Sequence, residues 1–258
     1  MAMQGNVVLI TGGGSGMGQL AARRWAKTGK KVAILDINKA GMEDTAAGFD
    51  NIFPFVVDIT NFDEVKSAVE QVEKEIGPVN RLYHCAAIMP LGKLLDFSPE
   101  RTKLMMDINY SGLVNITHAV LPGMLERGQG DFISFASLAG LIPTLMTGAY
   151  SASKFAVACY TETLHHEHLN SGVRFVCVCP PTVATPLLDQ GKETAWPKML
   201  SQEGNDPISP AEVIDSIEKG IEKGDFWVYP TDSAKWGHRV RRLFPGALWK
   251  QVHKVEGW

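Results

Sequence analysis

Residues 6–29, "NVVLITGGGSGMGQLAARRWAKTG", join a short apolar run to a helix-length segment through a turn rich in glycine. Gly12, Gly16 and Gly18 mark the passage from strand to helix. Glycines at such a turn let the backbone approach a pyrophosphate, while the N–H groups and the dipole of the helix start favour its negative charge. The stretch therefore predicts a strand–turn–helix unit. It is compatible with binding of a dinucleotide and equally with a plain turn, which needs glycine in any case.

The rest of the chain repeats this alternation of an apolar run with a helix-length amphipathic segment. Seven runs rich in valine, isoleucine and phenylalanine are predicted to be strands: "NVVLIT", "KVAILD", "IFPFVVD", "RLYHCAA", "DFISFAS", "VRFVCVCP" and "FWVYP". Runs that are apolar throughout are typical of a parallel sheet covered on both faces, and their spacing implies right-handed crossovers. We therefore predict an α/β fold, a Rossmann-type doubly wound, mostly parallel sheet of about seven strands with helices on both faces. No linker divides residues 1–258, which are expected to form a single domain.

Composition limits the possible classes of function. Of the 258 residues, 45% are hydrophobic and 21% are charged, which is typical of a folded soluble protein. The net charge of −3 argues against binding to nucleic acid. The N-terminus has no basic region ahead of an apolar segment, and no apolar run approaches the ~18 residues of a membrane span, so we expect a cytoplasmic protein. Four cysteines are expected to be free thiols: Cys85, Cys159, Cys177 and Cys179.

Acidic residues end the second and third predicted strands. Asp36 lies eighteen residues beyond Gly18, where a dinucleotide-binding fold places the acid that binds the adenosine ribose. An acid there repels a 2′-phosphate, and neither Ser15 nor Ile37 supplies a positive charge, so NAD is predicted over NADP. Asp36 has a simpler alternative as a strand-end turn residue. Asp58 is expected either to reach the adenine or to cap the next helix.

Tyr150 and Lys154 lie four residues apart in "GAYSASKFAV", residues 148–157, at the start of a predicted helix. This spacing places the two side chains on one helix face, with their Cβ atoms roughly 5–6 Å apart. A nearby ammonium and the positive nicotinamide ring of an oxidised cofactor both favour phenolate, so we expect them to lower the pKa of Tyr150 from its ordinary value near 10. By itself the pair has a second interpretation, in which both side chains only cover core surface.

Together these motifs resemble the short-chain dehydrogenase/reductase family, from about residue 5 to residue 185. "TGGGSGMG", residues 11–18, matches the family's TGxxxGxG turn, and "YSASK", residues 150–154, matches its YxxxK motif. Ser137 lies thirteen residues before the tyrosine, and Asn109 in "DINYSG" matches the family's helix asparagine. The resemblance implies a secondary alcohol–ketone oxidoreductase of the alcohol dehydrogenase or carbonyl reductase type.

The resemblance also implies a role for each of these residues. Tyr150 is the general acid and base, and Ser137 orients the substrate oxygen. Lys154 also holds the nicotinamide ribose, and Asn109 interrupts its helix to position a water that relays the proton. Without the resemblance, Ser137 is equally compatible with a strand-end turn and Asn109 with a solvated helix position.

The cofactor contacts implied by the resemblance come from several strand ends. They are Gly12, Ser15, Gly16, Met17, Gly18, Asp36, Asp58, Ile59, Ala86, Tyr150, Lys154, Pro180, Val183 and Thr185. Two motifs depart from the family pattern: "HCAA", residues 84–87, replaces NNAG, and "CPPTVATP" has Pro181 where glycine is usual. These departures put the hydrogen bonds on the cofactor side and the floor of the pocket in question.

The residues predicted to contact the substrate are mostly apolar. They are Ser137, Leu138, Met146, Tyr150, Leu187 and Trp196, and none offers an arginine fork for a carboxylate or phosphate. We therefore expect a hydrophobic alcohol or ketone with an aromatic, steroid-like or fatty-acyl body. The irregular stretch at about 186–210 is predicted to be a substrate loop, either a lid or a mobile segment.

The tail, residues 233–258, combines three tryptophans with six Lys/Arg against one acid, which leaves the preceding chain at −8. Basic and aromatic residues together indicate either peripheral membrane contact or an anionic-substrate site, with packing over the sheet edge or a subunit interface as the alternative. Pro245 and Gly246 are expected to break any long helix in this tail.

His165 and His168 are expected near a subunit interface rather than at a metal. The family implies a homodimer or homotetramer, and a hydride-transfer site of this kind needs no metal.

Two other functions compete: a non-catalytic dinucleotide sensor or scaffold, and an epimerase or dehydratase of the extended type. The "TGGGSGMG" turn opposes the extended type, because Ser15 lies where its GxxGxxG motif has glycine.

Overall fold

The computed structural model describes residue 3 and residues 5–201 and 206–258. Seven parallel strands form one sheet in the order β3-β2-β1-β4-β5-β6-β7. Their bounds are β1 Val7–Thr11, β2 Lys31–Asp36, β3 Ile52–Val56, β4 Val79–His84, β5 Gly130–Phe135, β6 Val173–Val178 and β7 Trp227–Val228. The predicted Rossmann-type sheet of seven strands is therefore confirmed.

Ten α-helices connect and extend these strands in the described part of the chain. They are α1 Gly16–Lys27, α2 Lys39–Ala46, α3 Phe62–Glu75, α4 Pro99–Met106, α5 Gly112–Glu126, α6 Gly148–Glu167, α7 Pro186–Thr194, α8 Pro210–Lys223, α9 Asp232–Leu243 and α10 Pro245–Glu256. A π-helical turn, Asp107–Ser111, lies between α4 and α5. From β1 the sheet grows toward β3 on one side, and from β4 it grows toward β7 on the other, so the topological switch point lies between β1 and β4. Ligands of such sheets bind at the carboxyl ends of the strands beside this point.

Apolar side chains on both faces of the sheet explain why its strands are apolar throughout. One core cluster joins the sheet to α3, α5 and α6 through residues such as Val65, Ile116 and Val157. A second cluster joins the opposite face to α1, α2 and α8 through residues such as Ala22 and Ile214. The central strands β1 and β5 are therefore buried along their whole length, and β4 is buried except at Asn80.

Two helix starts test the predicted caps. Ser98 caps α4 by accepting a hydrogen bond from the Arg101 N–H at 3.3 Å, and Pro99 lies in the first turn, as expected. Asp58 does not cap α3, so that alternative was wrong. The helix begins at Phe62, which makes Asn61 the cap, and the Asn61 side chain accepts from the N–H groups of the first turn.

Helical structure also occupies most of the stretch at about 186–210 that the sequence predicted to be irregular. Pro186 begins α7, Leu188 and Gly191 are buried on its inner side, and a 3₁₀ turn follows at Lys198–Ser201. A proline at the first helical position is a helix-start signal that the prediction missed. Residues 202–205 of this stretch lie outside the described residues.

The tail forms two helices, α9 and α10, which meet at Phe244. Pro245 begins the second helix, so the expected break is confirmed. Within residues 3, 5–201 and 206–258, no helix is both long and apolar enough to cross a bilayer. All four cysteines are free thiols, and Cys177 and Cys179 are buried, as predicted.

The paired histidines pack against aromatic rings. His165 stacks on Phe226 with ring centroids 4.6 Å apart, and His168 stacks on Phe175 at 6.1 Å. No group of three His, Cys, Asp or Glu residues in the described ranges is arranged to hold a metal ion. The two rings therefore have a packing role, and their predicted place near a subunit interface stays a prediction.

Candidate active site

The glycine turn after β1 forms a cradle that side chains cannot enter. Gly12 and Gly16 have φ angles of +68° and +54°, which favour glycine. A Cβ on Gly12 would lie 2.8 Å from the Ala86 nitrogen, and one on Gly18 would collide with the Gly12 carbonyl oxygen. The cap residue Ser15 makes no side-chain hydrogen bond to the first turn of α1, which carries no acidic residue. These features fit a pyrophosphate bound at the N-terminus of α1.

Asp36 lies at the end of β2 and is tied to this turn. Its Oδ2 accepts from the Gly14 N–H at 2.9 Å, and its Oδ1 accepts from the Asn38 N–H at 2.9 Å. Each carboxylate oxygen keeps a further lone pair for a ribose hydroxyl. In the described chain no Lys or Arg pairs with Asp36, and the neighbouring Ile37 is 72% exposed.

Three other predicted cofactor residues lie at the ends of β3 and β4. Asp58 is exposed, and its carboxylate accepts from the N–H and hydroxyl of Thr60. Ile59 is buried, and its carbonyl oxygen accepts from the Asn115 side chain at 2.9 Å. Ala86 lies directly beside the glycine turn, as the Gly12 contact above shows. The structure thus brings Ala86 to the turn, and the cofactor contacts of Asp58 and Ile59 stay predictions.

Asn109 is fully buried inside the π-helical turn that precedes α5. Its Oδ1 accepts from the Ile88 N–H at 2.8 Å, while its Nδ2 donates to the Ile88 carbonyl at 3.0 Å and to the Ser153 hydroxyl at 2.9 Å. The predicted interruption of the helix is therefore present, and π-turns of this kind are frequent at functional sites. Through Ser153, which donates to the Tyr150 carbonyl at 2.8 Å, Asn109 is connected to the backbone of α6.

Ser137 and Tyr150 lie together at the carboxyl end of β5. Ser137 has φ +66° and ψ 158°, a conformation that is strained for a residue other than glycine and often found at functional sites. Burial raises the pKa of Tyr150 to about 12, and a hydrogen bond with Ser137 acts in the opposite direction. In the protein chain alone, loss of hydration therefore outweighs the favourable contacts. The expected lowering of the Tyr150 pKa by Lys154 and an oxidised nicotinamide together stays a prediction.

Lys154 is buried on α6, and the carbonyl of Phe135 holds it in place. Its Nζ donates to the Phe135 oxygen at 2.9 Å and lies 5.8 Å from the centroid of the Tyr150 ring. Burial lowers the pKa of this lysine to about 8, although the thiols of Cys85 and Cys177 oppose the shift. The sequence correctly placed the ammonium near the phenol. It could not reveal how strongly the surrounding core favours the neutral amine.

The "HCAA" segment forms a polar network with Thr11. The buried His84 shares a hydrogen bond of 2.9 Å between its Nδ1 and the Thr11 hydroxyl, and the Ala86 N–H donates to the same hydroxyl at 3.3 Å. Burial and the positive charge of Lys154 lower the pKa of His84 to about 3, so the ring is neutral at physiological pH. Thr11, His84 and Ser153 are site residues that the sequence prediction missed. They are identified as site residues only by their hydrogen bonds to residues distant in the sequence.

A cavity of about 390 Å³ lies beside Ser137, Tyr150 and Lys154. Its wall includes predicted substrate and cofactor residues: Ser137, Leu138, Tyr150, Leu187 and Trp196, together with Met17, Lys154, Pro180, Val183 and Thr185. The wall is mostly apolar, as expected. It also includes residues of the tail that the prediction missed, namely Ala234 and Gly237 of α9 and Leu248 of α10. The tail therefore forms part of the cavity wall.

Met146 is the predicted substrate residue that the described cavity wall does not include. It has a φ of +64°, and its carbonyl accepts from the Gly92 N–H at 2.7 Å. The residue thus belongs to the turn that leads into α6 instead of the cavity. Pro181, by contrast, does line the cavity, so the departure from the family's glycine shapes the pocket.

Comparison with known families identifies the class of protein that this fold and site define. The model of the family described as short chain dehydrogenase matches residues 6–196. The chain belongs to this family and is an oxidoreductase of the short-chain dehydrogenase class, as the sequence predicted.

Several characterised relatives carry dehydrogenase names. The chain is 30% identical to estradiol 17-beta-dehydrogenase 11 of Rattus norvegicus, over 95% of this chain and 81% of the relative. It is 30% identical to 17-beta-hydroxysteroid dehydrogenase 13 of the same species, over 99% and 84%. It is 31% identical to epidermal retinol dehydrogenase 2 of Homo sapiens, over 87% and 74%.

Solved structures share the fold. A short-chain dehydrogenase/reductase from Burkholderia phymatum in complex with NAD has a TM-score of 0.84 at 24% identity, over 96% of both chains. A 3-ketoacyl-(acyl-carrier-protein) reductase from Brucella melitensis complexed with NADH has a TM-score of 0.79 at 26% identity, over 90% of this chain and 100% of the other. A Burkholderia cenocepacia enzyme of similar fold, with a TM-score of 0.80, is in complex with NADP.

Proposed function

We propose that the protein is an NAD-dependent oxidoreductase that interconverts a hydrophobic secondary alcohol and its ketone, with Tyr150 as general acid and base. The observation that carries the proposal is the apolar cavity whose wall contains the Ser137 hydroxyl, the Tyr150 phenol and the Lys154 ammonium. The cradle of glycines after β1 fits the pyrophosphate of a nicotinamide dinucleotide. When bound, that cofactor supplies the acceptor or donor of hydride.

The protein groups account for the proton in this reaction. In ketone reduction, the phenol of Tyr150 is protonated at neutral pH and donates its proton to the substrate oxygen. In alcohol oxidation, the same oxygen accepts the hydroxyl proton, and the positive charge of Lys154 stabilises the phenolate that receives it. Ser137 holds the substrate oxygen beside Tyr150. Asn109 and Ser153 support α6, and the predicted proton-relaying water beside Asn109 is part of this proposal.

The preference for NAD over NADP rests on the surroundings of Asp36. Its carboxylate is held at the edge of the glycine turn by two backbone N–H groups, where its charge would repel a 2′-phosphate. No Lys or Arg pairs with it in the described chain, so that repulsion is not compensated nearby. Its two free lone pairs favour the two hydroxyls of an unmodified adenosine ribose.

The apolar wall supports a substrate with a large hydrophobic body. A cavity of this size accommodates a drug-sized molecule, with few polar groups apart from those at the reacting centre. Two relatives named above carry steroid dehydrogenase names and a third carries a retinol dehydrogenase name, which places steroid-like and polyene alcohols among the compounds to test. We also propose the cytoplasm as the location and a homodimer or homotetramer as the assembly, which light scattering after size-exclusion chromatography tests.

The primary test follows the near-ultraviolet absorbance of NADH with purified protein and graded secondary alcohols, from short aliphatic to aromatic, steroidal and long-chain compounds. Turnover with NAD on one chemical class is the expected result. If every alcohol and every matching ketone is inert while NAD still binds, the proposal fails and the non-catalytic sensor is favoured. The altered "HCAA" segment is the sequence feature behind that alternative. Formation of an epimer or a dehydrated product would instead indicate the extended type.

The cofactor preference has its own test. Asp36→Ala should lower the ratio of kcat/KM with NAD to kcat/KM with NADP by about tenfold, because it removes both the ribose contacts and the repulsion. Asp58→Ala is the matched control, since it removes another strand-end carboxylate outside the turn, and it should leave the ratio unchanged. An unchanged ratio in Asp36→Ala would show that the ribose lies elsewhere.

A further inference from the structure

Helix α9 has three distinct sides. At roughly 100° per residue, Ala234 and Gly237 lie on the inner side of the helix and line the cavity. His238 lies on the same side, and its Nδ1 shares a hydrogen bond of 2.8 Å with the Tyr229 hydroxyl. The other sides face away from the protein. One of them is apolar and the other is basic.

The apolar side is exposed although its residues are large. Trp236 is 62% exposed, Val240 40% and Leu243 69%, and their spacing of four and three residues aligns them along the helix. Phe244, 63% exposed, extends the stripe into the corner between α9 and α10. Single exposed apolar residues are common, but an aligned stripe that includes tryptophan and phenylalanine indicates a surface that contacts something apolar.

The basic side lies next to this stripe. Lys235, Arg239 and Arg242 are exposed there, and the Arg239 guanidinium lies 5.3 Å from the centroid of the Trp236 ring. The one acid of residues 233–258, Glu256, is buried and accepts from the Met199 N–H at 2.7 Å. Asp232 is an exposed acid at the first turn of α9, at the end of the stripe away from Leu243. Within residues 232–258, the outer face of α9 therefore carries three cations and one acid. Glu162 of α6 is a further acid close enough to act on His238 and Tyr229.

We propose that the outer face of α9, with Phe244, docks onto an anionic lipid surface. A helix with Trp, Leu and Val on one side and Lys and Arg beside them is typical of segments that lie in a membrane interface. Each Lys or Arg near such a surface strengthens binding to anionic lipid. A second copy of the chain fits this face less well, because a two-fold contact would bring Arg239 and Arg242 close to their own copies.

Docking in this orientation has a consequence for the cavity. Ala234 and Gly237 line the cavity on one side of α9, while the proposed lipid contact lies on the other side of the same helix. The cavity wall would then rest at the lipid surface, where hydrophobic substrates concentrate. This consequence rests on the proposed function, whereas the docking itself does not.

The test is sedimentation of the full chain with vesicles of phosphatidylcholine containing about 30% phosphatidylserine, compared with vesicles of phosphatidylcholine alone. We expect binding to the anionic vesicles at about 0.1 M salt and much weaker binding at about 1 M, where screening shortens the range of the attraction. Lack of binding to the anionic vesicles at low salt would overturn the proposal.

Two double variants locate the contact. Arg239→Glu with Arg242→Glu, and Trp236→Ser with Leu243→Ser, should each weaken binding at least tenfold. Lys66→Glu with Lys74→Glu makes the same charge change on the exposed side of α3, and Leu169→Ser removes another exposed leucine. Both controls should bind as the parent does. Equal binding by all variants would overturn the assignment to α9.

Readouts in solution separate this inference from other outcomes. The circular dichroism spectrum, the Tm and NAD binding should be unchanged in the α9 variants, because none of the substituted residues lines the cavity. If Trp236→Ser with Leu243→Ser instead converts an oligomer to a monomer by light scattering, the face contacts a second copy and the lipid proposal is wrong. A protein that is inactive with every alcohol but binds anionic vesicles would reject the proposed function and retain the docking.

Discussion

The two ends of the sheet both bury charged side chains, but only one end neutralises them. Near the amino ends of β4, β5 and β6, Arg81, Asp131 and Arg174 lie side by side in register. Arg81 donates from Nε to Asp131 at 2.8 Å and from Nη1 to Glu218 at 2.7 Å, and Tyr83 donates to Glu218 at 2.7 Å. Although burial opposes its charge, these neighbours raise the pKa of Arg81, so it stays charged.

At the carboxyl ends, the buried cation has no such partner. Lys154 donates to a neutral carbonyl, and no carboxylate pairs with it in the described chain. Within the same described residues, His84 Nε2 has no hydrogen-bond partner at this end, and Arg81 Nη2 has none at the other, although Arg81 Nη2 lies 2.7 Å from Asp131 Oδ2 in an ion pair. A buried charge that is fully paired stabilises one arrangement of the fold, whereas a buried charge without a counter-ion and with a perturbed pKa indicates a chemical role.

The largest expected effect is at the carboxyl end. Under the proposed function, Tyr150→Phe removes the hydroxyl that exchanges the substrate proton while it keeps the ring that packs beside Lys154. We expect kcat to fall by about 10²–10⁴-fold, with little change in the Kd of NAD measured by protein fluorescence. Substantial residual turnover would remove Tyr150 from its assigned role.

The matching change at the amino end should affect stability instead of chemistry. Arg81→Leu leaves Asp131 and Glu218 without their shared cation, and we expect the free energy of unfolding to fall by about 3–5 kcal/mol. Urea denaturation measures this, and KM for the alcohol in the folded fraction should not change. Arg174→Leu is the control: its side chain is 24% exposed, so its loss should be smaller. Equal losses for both variants would contradict the distinction.

The pH dependence of activity should follow Lys154. Because its pKa is about 8, the side chain is charged below that pH and neutral above it. Under the proposed function, loss of this charge weakens the binding of the nicotinamide ribose. We therefore expect kcat/KM for NADH to be level below about pH 8 and to fall toward tenfold per pH unit above it. Lys192→Met, which removes an exposed lysine near the cavity wall, should keep the same profile. A profile that stays level to pH 10 or so would contradict this assignment.

The smallest expected effect is on acid stability. His84 titrates at about 3 in the folded protein and near 6.5 when unfolded, so only the unfolded chain takes up this proton as the pH falls between those values. This uptake lowers the free energy of unfolding by up to about 1.4 kcal/mol per pH unit. His84→Asn should make the decline shallower by that amount, as measured by urea denaturation between about pH 6 and pH 4. His166→Asn, at an exposed position, should not alter the slope.

The sequence alone predicted the seven strands, the glycine turn, and the positions of Asn109, Ser137, Tyr150 and Lys154. These features depend on local chemistry. Parallel strands covered on both faces must be apolar throughout, a turn with positive φ favours glycine, and a spacing of four places two side chains on one helix face. The family motif then assigned roles to residues whose local signals were individually ambiguous.

Other features depended on contacts between residues that are distant in the chain, and only the tertiary structure decided them. One such feature is the raised pKa of Tyr150. Its cause is the loss of hydration, which is a sum over neighbours from several elements. Arg81 meets Glu218 across 137 positions of sequence, and residues of α9 and α10 line the same cavity as Ser137, just beyond β5, and Tyr150 of α6. A local sequence pattern reports only on neighbours within a few residues. Desolvation and ion pairing depend instead on which surfaces the folded chain brings together.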